Sequence, residues 1–295
     1  KAQKMNSGHN FLSKLSKFSS SWTGTIIIVL FFIFFVAQAF VIPSGSMKNS
    51  LLIGDFLFVK KFSYGMPTPH IPWLEVPVAP DFNGNGHLWE GKRPQRGDIV
   101  VFRYPNEPKT YYVKRLFAIS GDEVIFAPRA MYLRPNMSDD EIRKTYGDEN
   151  LFKIGGKFYV REPYKNLGIY YDSSERKDPF GGQEIDIFSI ATMFAAQGRF
   201  AMSAIFAPEL APLDGLDFNA FYFKVKEDEF FMVGDNRENS NDSRFWGPIN
   251  YKHVVGKPWF VYFSWDGDKK EVRWDRVGRF VDSLESDERY INASK

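Results

Sequence analysis

A glycine stands between two serines at Ser44-Gly45-Ser46, one proline after the apolar run IIIVLFFIFFVAQAFVI. A serine hydroxyl attacks a carbonyl only when a nearby base takes its proton. The usual base is histidine. His9, His70, His87 and His253 sit in no motif, and no two of them have the spacing of metal ligands. The G-x-S-x-G elbow is absent as well. The chain has no cysteine, which removes disulfides, thiolate nucleophiles and Cys-type zinc sites together. Lysine can replace histidine, because burial disfavours its charged form and lowers its pKa. The stretch TYYVKRLFAISGDEV offers Lys114, and strand alternation would put Tyr112, Lys114 and Leu116 on one face. Such a lysine either snorkels to water or is desolvated, and a strand lysine by itself favours water.

A third stretch bears on that choice. In MVGDNRENSNDSRFWGPI, Met232 to Ile249, eight of the ten residues from Asp235 to Arg244 are charged or amide-bearing and the other two are serines. These residues cannot form an apolar core. They make a solvated loop or a hydrogen-bonded network beside something that needs one. A calcium loop is excluded, because no glycine occupies the sixth position from Asp235 and Trp246 stands where the bidentate glutamate belongs.

The elements that must position these residues follow from composition and period. The 295 residues are 44% hydrophobic and 17% aromatic, which suits a β-rich chain with a real core. The net charge of +2 gives no argument for nucleic acid. Strands are expected at Phe56–Lys60, Asp98–Arg103, Thr110–Phe117, Glu123–Ala127, Lys157–Glu162, Phe221–Val225, Glu229–Val233, Trp259–Trp265 and Glu271–Trp274. Met66 to Arg96 is rich in Pro, Gly and Asn and reads as a long ordered loop. Ser138-Asp139-Asp140-Glu141 predicts a capping box and a short helix, and Ile187 to Ala196 a second helix. Trp22 to Ile42 is about 21 residues, roughly 30 Å as a helix, enough for the hydrocarbon core. Lys1, Lys4, Lys14 and Lys17 precede it and the first acid is Asp55, a positive-inside pattern. Ala37-Gln38-Ala39 looks like a signal-peptide cleavage site, but the apolar run is longer than a signal h-region, so a retained anchor still helical at Ala37 is expected.

The chain resembles the bacterial type I signal peptidases, membrane-bound Ser/Lys endoproteases. The resemblance rests on the anchor and four blocks in order: IPSGSM (Ile42–Met47), GDFLFVKKFSYG (Gly54–Gly65), YVKR with SGD (Tyr112–Arg115, Ser120–Asp122), and GDNRENSNDSRFWG (Gly234–Gly247). It implies a mainly β fold: a single transmembrane helix, then a β-rich catalytic domain carrying an inserted second β-rich domain. The expected boundaries are a cytoplasmic segment 1–21, the helix 22–42, catalytic parts 43–123 and 229–295, and the insertion 124–228. It implies Ser46 as nucleophile, Lys114 as neutral base, and Ser44 with the Ser46 N–H as oxyanion hole. Ser240 would orient the lysine, Asp242 and Arg244 would form a supporting salt bridge, and Arg115 and Asp235 would be structural. Phe40, Ile42, Pro43, Met47, Leu51, Leu57, Tyr112 and Val113 would bind substrate. The substrates would be signal peptides of exported preproteins, cut after small-x-small sites, with no cofactor and no metal. The other implied partner is the phospholipid bilayer: a single-pass protein of the bacterial inner membrane, N-terminus cytoplasmic and catalytic domain outside. Two turns depart from the family pattern, Asn49-Ser50 for Pro-Thr and Ala118-Ile119-Ser120-Gly121 for Gly-x-Pro-Gly. The rival readings are a Ser/Lys self-cleaving regulator, which would need a DNA-binding domain, and a non-enzymatic bitopic scaffold, which would have no use for Lys114 and Ser240.

Overall fold

The computed structural model describes residues 13–14, 16–31, 37–71, 76–164, 168–171 and 185–291. The alternating aromatic and β-branched runs fold as strands. The chain forms β1 (Ala37–Val41), β2 (Asp55–Lys60), β3 (Gly65–Pro67), β4 (His87–Glu90), β5 (Ile99–Tyr104) and β6 (Glu107–Ala118). It continues through β7 (Glu123–Ala127), β8 (Ala130–Arg134), β9 (Leu151–Ile154), β10 (Lys157–Arg161), β11 (Ser203–Ile205) and β12 (Ala220–Lys224). It then returns as β13 (Glu229–Val233), β14 (Ile249–Asn250), β15 (Val254–Asp266), β16 (Glu271–Val272) and β17 (Arg279–Phe280).

Nine strands form one sheet along the path β1-β2-β15-β5-β6-β13-β14, with β16 and β17 attached to β15. β15 joins the two halves. Its first residues pair with β5 and its later ones with β2, with register irregularities that bend it. β5 is buried on both faces: Ile99 and Val101 enter a cluster with Met47, Leu51 and Leu57, while Val100 and Phe102 enter one with Leu116 and Met232. The sheet is therefore covered on both sides where it carries β6. Six of the remaining strands, in the order β11-β12-β7-β8-β10-β9, make a second sheet. The helix Ile187–Ala196, capped by Asp186, buries Ile187, Phe188 and Ala191 on it beside Phe126 and Phe221. The helix Asp139–Tyr146 starts with the expected reciprocal Ser138–Glu141 capping box.

Two expectations need correction. The first apolar helix runs Trp22–Phe31, and residues 32–36 lie outside the described residues. Ala37–Val41 is not the end of a helix over 22–42 but a strand, in register from Ala37↔Lys60 to Val41↔Phe56. An apolar run satisfies a buried strand as well as a helix, and here partner strand β2 and the ring of Tyr111, 5.0 Å from that of Phe40, select the strand. Among the described residues no helix is long and apolar enough to cross a membrane. The stretch from Met66 to Arg96 is also not all loop. β3 and β4 form a two-stranded ribbon in it, and His87 stacks on Tyr251 with ring centroids 4.0 Å apart.

Candidate active site

The chain leaves β1 through Ile42, whose N–H and C=O both bond back to the β2 side, to Asp55 O and from Gly54 N. Pro43 and Ser44 follow, and a single 3₁₀ turn covers Gly45–Met47. The turn presents Ser46 with 8% of its surface exposed. Ser44 stands before it in extended backbone, exposed, and makes no capping bond to the turn. Asn49 takes a φ of 80°, a region that Asn tolerates better than most residues. The hydroxyl of Ser50 donates to Asp235 at 2.5 Å, so the departure at Asn49-Ser50 is absorbed into the fold. The other departing turn is closed by Asp122, which accepts the Ile119 N–H, and by Ser120, which accepts the Asp228 N–H.

Lys114 reaches this turn from the middle of β6. Its Nζ lies 2.7 Å from Ser46 Oγ and 3.0 Å from the Val113 carbonyl, and the residue is only 5% exposed. Burial pushes its pKa down to about 8; Asp242 and Asp235 oppose that shift and Arg244 assists it. The face shared with Tyr112 is as expected, with Nζ 5.2 Å from that ring centroid. Phe117 and Met47 belong to two separate core clusters.

Both carboxylates that act on Lys114 are already paired with arginines. Asp235 holds Arg115 in a two-pronged bridge, with Nε to Oδ1 and Nη2 to Oδ2 each 2.7 Å. Asp242 holds Arg244 the same way, at 2.8 and 2.9 Å, and also accepts the Gly234 N–H. Burial alone would raise the Asp242 pKa, but Arg244 holds it below its ordinary value. Each pair is close to neutral as a unit, so the two anions only partly offset the effect of burial on Lys114. Ser240 is buried against Gly234, where an added Cβ would collide with both the Ser240 hydroxyl and the Ser46 carbonyl oxygen.

A cleft of about 420 Å³ opens over this pair. Of the residues expected to bind substrate, Phe40, Ile42, Pro43, Leu57, Tyr112 and Val113 line it together with Ser44, Ser46 and Lys114. Met47 and Leu51 do not line it. They are fully buried beneath it with Leu57 and Ile42, because the turn after Ser46 points them into the core. Val101, Thr110, Tyr111, Asn239 and Asn241 line it too, unforeseen from the sequence. Asn236 was also missed: its N–H donates to the Ser46 carbonyl at 3.0 Å. Its place in the polar run was the only available signal. None of the described histidines lines the cleft. The arrangement joins a buried hydroxyl, a lysine biased toward neutrality and an apolar groove, which is a constellation for acyl transfer.

Known proteins share this chain's pattern over most of its length. The profile of the family described as signal peptidase, peptidase S26, matches residues 15–265. Signal peptidase I of Helicobacter pylori strain 26695 is 48% identical over 293 residues, covering 93% of this chain and 96% of that one. Signal peptidase I of Buchnera aphidicola from Acyrthosiphon pisum is 29% identical over 290 residues, covering 94% and 84%. A crystal structure of a signal peptidase I from Enterococcus faecalis aligns at a TM-score of 0.25 and 20% identity, over 56% of this chain and 97% of that one.

Proposed function

The chain belongs to the signal peptidase family, peptidase S26, and is a serine endopeptidase acting on signal peptides; from that premise we propose that it works by a Ser46/Lys114 dyad and cuts after small-x-small sites. The observation that carries this reading is the 2.7 Å contact between a buried lysine and a buried serine in an apolar cleft. Ser46 Oγ attacks the scissile carbonyl carbon while its proton passes to neutral Lys114 Nζ. The developing oxyanion is stabilised by the Ser46 N–H and the Ser44 hydroxyl, which no turn bond occupies. Lys114 then gives its proton to the departing amine as the C–N bond breaks, leaving an ester on Ser46. A water attacks that ester, its proton passes to Lys114, and the Ser46 oxygen leaves and is reprotonated.

The proposed substrate pose uses two strand edges. β1 is the terminal strand of its sheet, and β13 covers β6 only along Arg115–Ala118, leaving the Thr110–Lys114 portion beside the cleft uncovered by that strand. An extended peptide between them would be held by backbone bonds. Phe40, Ile42, Leu57, Tyr112 and Val113 give the groove an apolar wall suited to small side chains. The site begins directly after β1, which keeps it close in sequence to the apolar N-terminal run that we read as a membrane anchor. We read residues 124–228 as an insertion between two parts of the catalytic domain, since the nine-stranded sheet draws strands from both flanks and the six-stranded sheet from β7–β12.

The test is cleavage of a synthetic A-x-A peptide, with turnover, against pH. The rate should rise on an acidic limb centred near the Lys114 value of about 8 and level off above it, since only neutral lysine accepts the proton. Ser46→Ala should be inert. A limb near pH 6.5 that persists without Lys114 would point to a histidine base and overturn the reading.

A further inference from the structure

Residues 168–171 come from the stretch between β10 and β11, carry none of the four sequence blocks, and lie across both halves of the site. Tyr170 forms an isolated parallel bridge with Asn236. Its N–H donates to Asp235 O at 3.0 Å and its carbonyl accepts from Arg237 N at 2.9 Å. In a parallel bridge the residue between those two bonds turns its own N–H to the other side. That N–H, of Asn236, is the one that donates to the Ser46 carbonyl at 3.0 Å. Two residues earlier, Gly168 packs on the turn after Ser46. A Cβ there would stand 2.6 Å from Ser50 Oγ, 3.0 Å from Ser50 N and 3.1 Å from Asn49 Cβ. Gly168 is not among the glycines with positive φ, so close approach rather than backbone conformation demands glycine.

The segment is also pinned from behind. The Tyr171 hydroxyl bonds Glu162 Oε1, and Glu162 Oε2 lies 3.5 Å from Nη2 of the fully buried Arg237, whose guanidinium sits over the Phe117 ring. Gly168 thus touches the nucleophile turn, Tyr170 clamps the segment after β13, Asp235–Arg237, that holds the Ser46 carbonyl, and Tyr171 ties both to the second sheet.

We propose that Gly168–Tyr171 is a positioning strap for the active site: resting on the reading of Ser46 as nucleophile, it sets the attack angle of that serine through Asn236 and Ser50. The strap touches no reacting atom. Moving it should cost rate without altering substrate affinity or the lysine. A displacement of order 1 Å at a reacting group costs about tenfold to a hundredfold.

The experiment uses the full chain and single-turnover cleavage of the A-x-A peptide with enzyme in saturating excess, where the rate constant does not depend on the folded fraction. Gly168→Ala should lower that rate constant by about tenfold to a hundredfold, with unchanged half-saturation and an acidic limb still near pH 8. In a Ser50→Gly background, which removes the hydroxyl the new methyl meets first, adding Gly168→Ala should cost less than about threefold. Tyr171→Phe adds no atom and removes the hydroxyl that ties the segment to Glu162, and should lower the rate constant in the same direction by a smaller factor if Gly168→Ala yields no folded protein. A wild-type rate constant from whichever of these variants folds, or an equal loss in both backgrounds, overturns the strap. Ser46→Ala separates the two levels. If it is inert while the strap variants run at wild-type speed, the strap alone is wrong; if it turns over, nucleophile and strap fall together.

Discussion

Lys114 and Arg115 are neighbours on β6, and both are buried, at 5% and 1% exposure. Strand alternation sends them to opposite faces. Arg115 meets Asp235 and Glu285, and although burial opposes its charge, those two carboxylates hold its pKa above the ordinary value. Lys114 meets a hydroxyl and a carbonyl, and burial lowers it to about 8. Nearly equal burial therefore gives opposite outcomes, and the difference is who faces each cation. A charged group loses its hydration on burial, and only an opposite charge with good geometry offsets that loss. On this strand one residue has such a partner and serves structure. The other has none, and its neutral form is favoured.

The sharpest way to break this comparison is to make the two residues alike. Lys114→Arg places a group that stays protonated beside Ser46. Single-turnover peptide cleavage should fall by about 10⁴-fold or more, and activity within about tenfold of wild type would sink the neutral-lysine proposal. Next in size is the removal of the partner on the other face. Asp235→Ala leaves Arg115 with Glu285 alone in a buried setting and should destabilise the fold by about 3–5 kcal/mol in urea unfolding. Loss of less than about 1 kcal/mol would place the bridge among weak surface pairs.

Two smaller effects sharpen the contrast. Ser44→Ala asks how much of the rate comes from the oxyanion donor rather than the base; kcat should drop by about 10²–10³ with little change in KM. A neutral result would leave the hole to backbone alone. Lys114→Met should stabilise the protein at pH 7 while abolishing turnover. The folded lysine pKa of about 8 lies below its ordinary value of 10.5, so proton uptake costs the fold. The cost is absent above pH 10.5, grows as pH falls, and is full below about pH 8. Chemical denaturation at pH 7 should show a gain of about 1–3 kcal/mol, shrinking toward pH 10.5. A loss at pH 7 would mean that the lysine contacts outweigh its desolvation.

Much of the fold was legible because its signals are local. Glu123–Ala127 and Glu229–Val233 are strands with the expected bounds, and Ile187–Ala196 is the expected helix. The Ser138–Glu141 cap is a contact between residues three apart, so it shows in four letters. β1 was not legible: AQAFV continues an apolar run, and only β2, held on the far side of the Ser46 turn, makes it a strand. β3 and β4 were hidden for the same reason, since Gly and Pro residues surround two short segments whose pairing is remote. For the site, residue type and setting singled out the Ser44/Ser46 pair, Lys114 and the polar run, while the choice of Ser46 and the parts given to Asp235, Asp242 and Arg244 came from the resemblance to the signal peptidases. Met47 and Leu51 shared the motif neighbourhood but not the cleft, and a residue's direction out of a 3₁₀ turn is not written in its type.

By itself, the sequence determined which chemistry was open to this protein. It has a serine pair about a glycine, no cysteine, no histidine in a motif, and Lys114 in an apolar and aromatic run, and those follow from covalent identity. It could not decide whether that lysine is wet or dry, because desolvation is a property of what surrounds the ammonium from distant parts of the chain. Tertiary structure decided it. β6 carries Lys114 to Ser46, and with Asp235 and Asp242 paired to arginines, burial outweighs the pull of both carboxylates on the lysine. The backbone of Tyr170, outside every sequence block, closes on the Asp235–Arg237 segment whose Asn236 N–H meets the Ser46 carbonyl. Electrostatics and backbone pairing depend on distance in space, and the fold alone sets those distances.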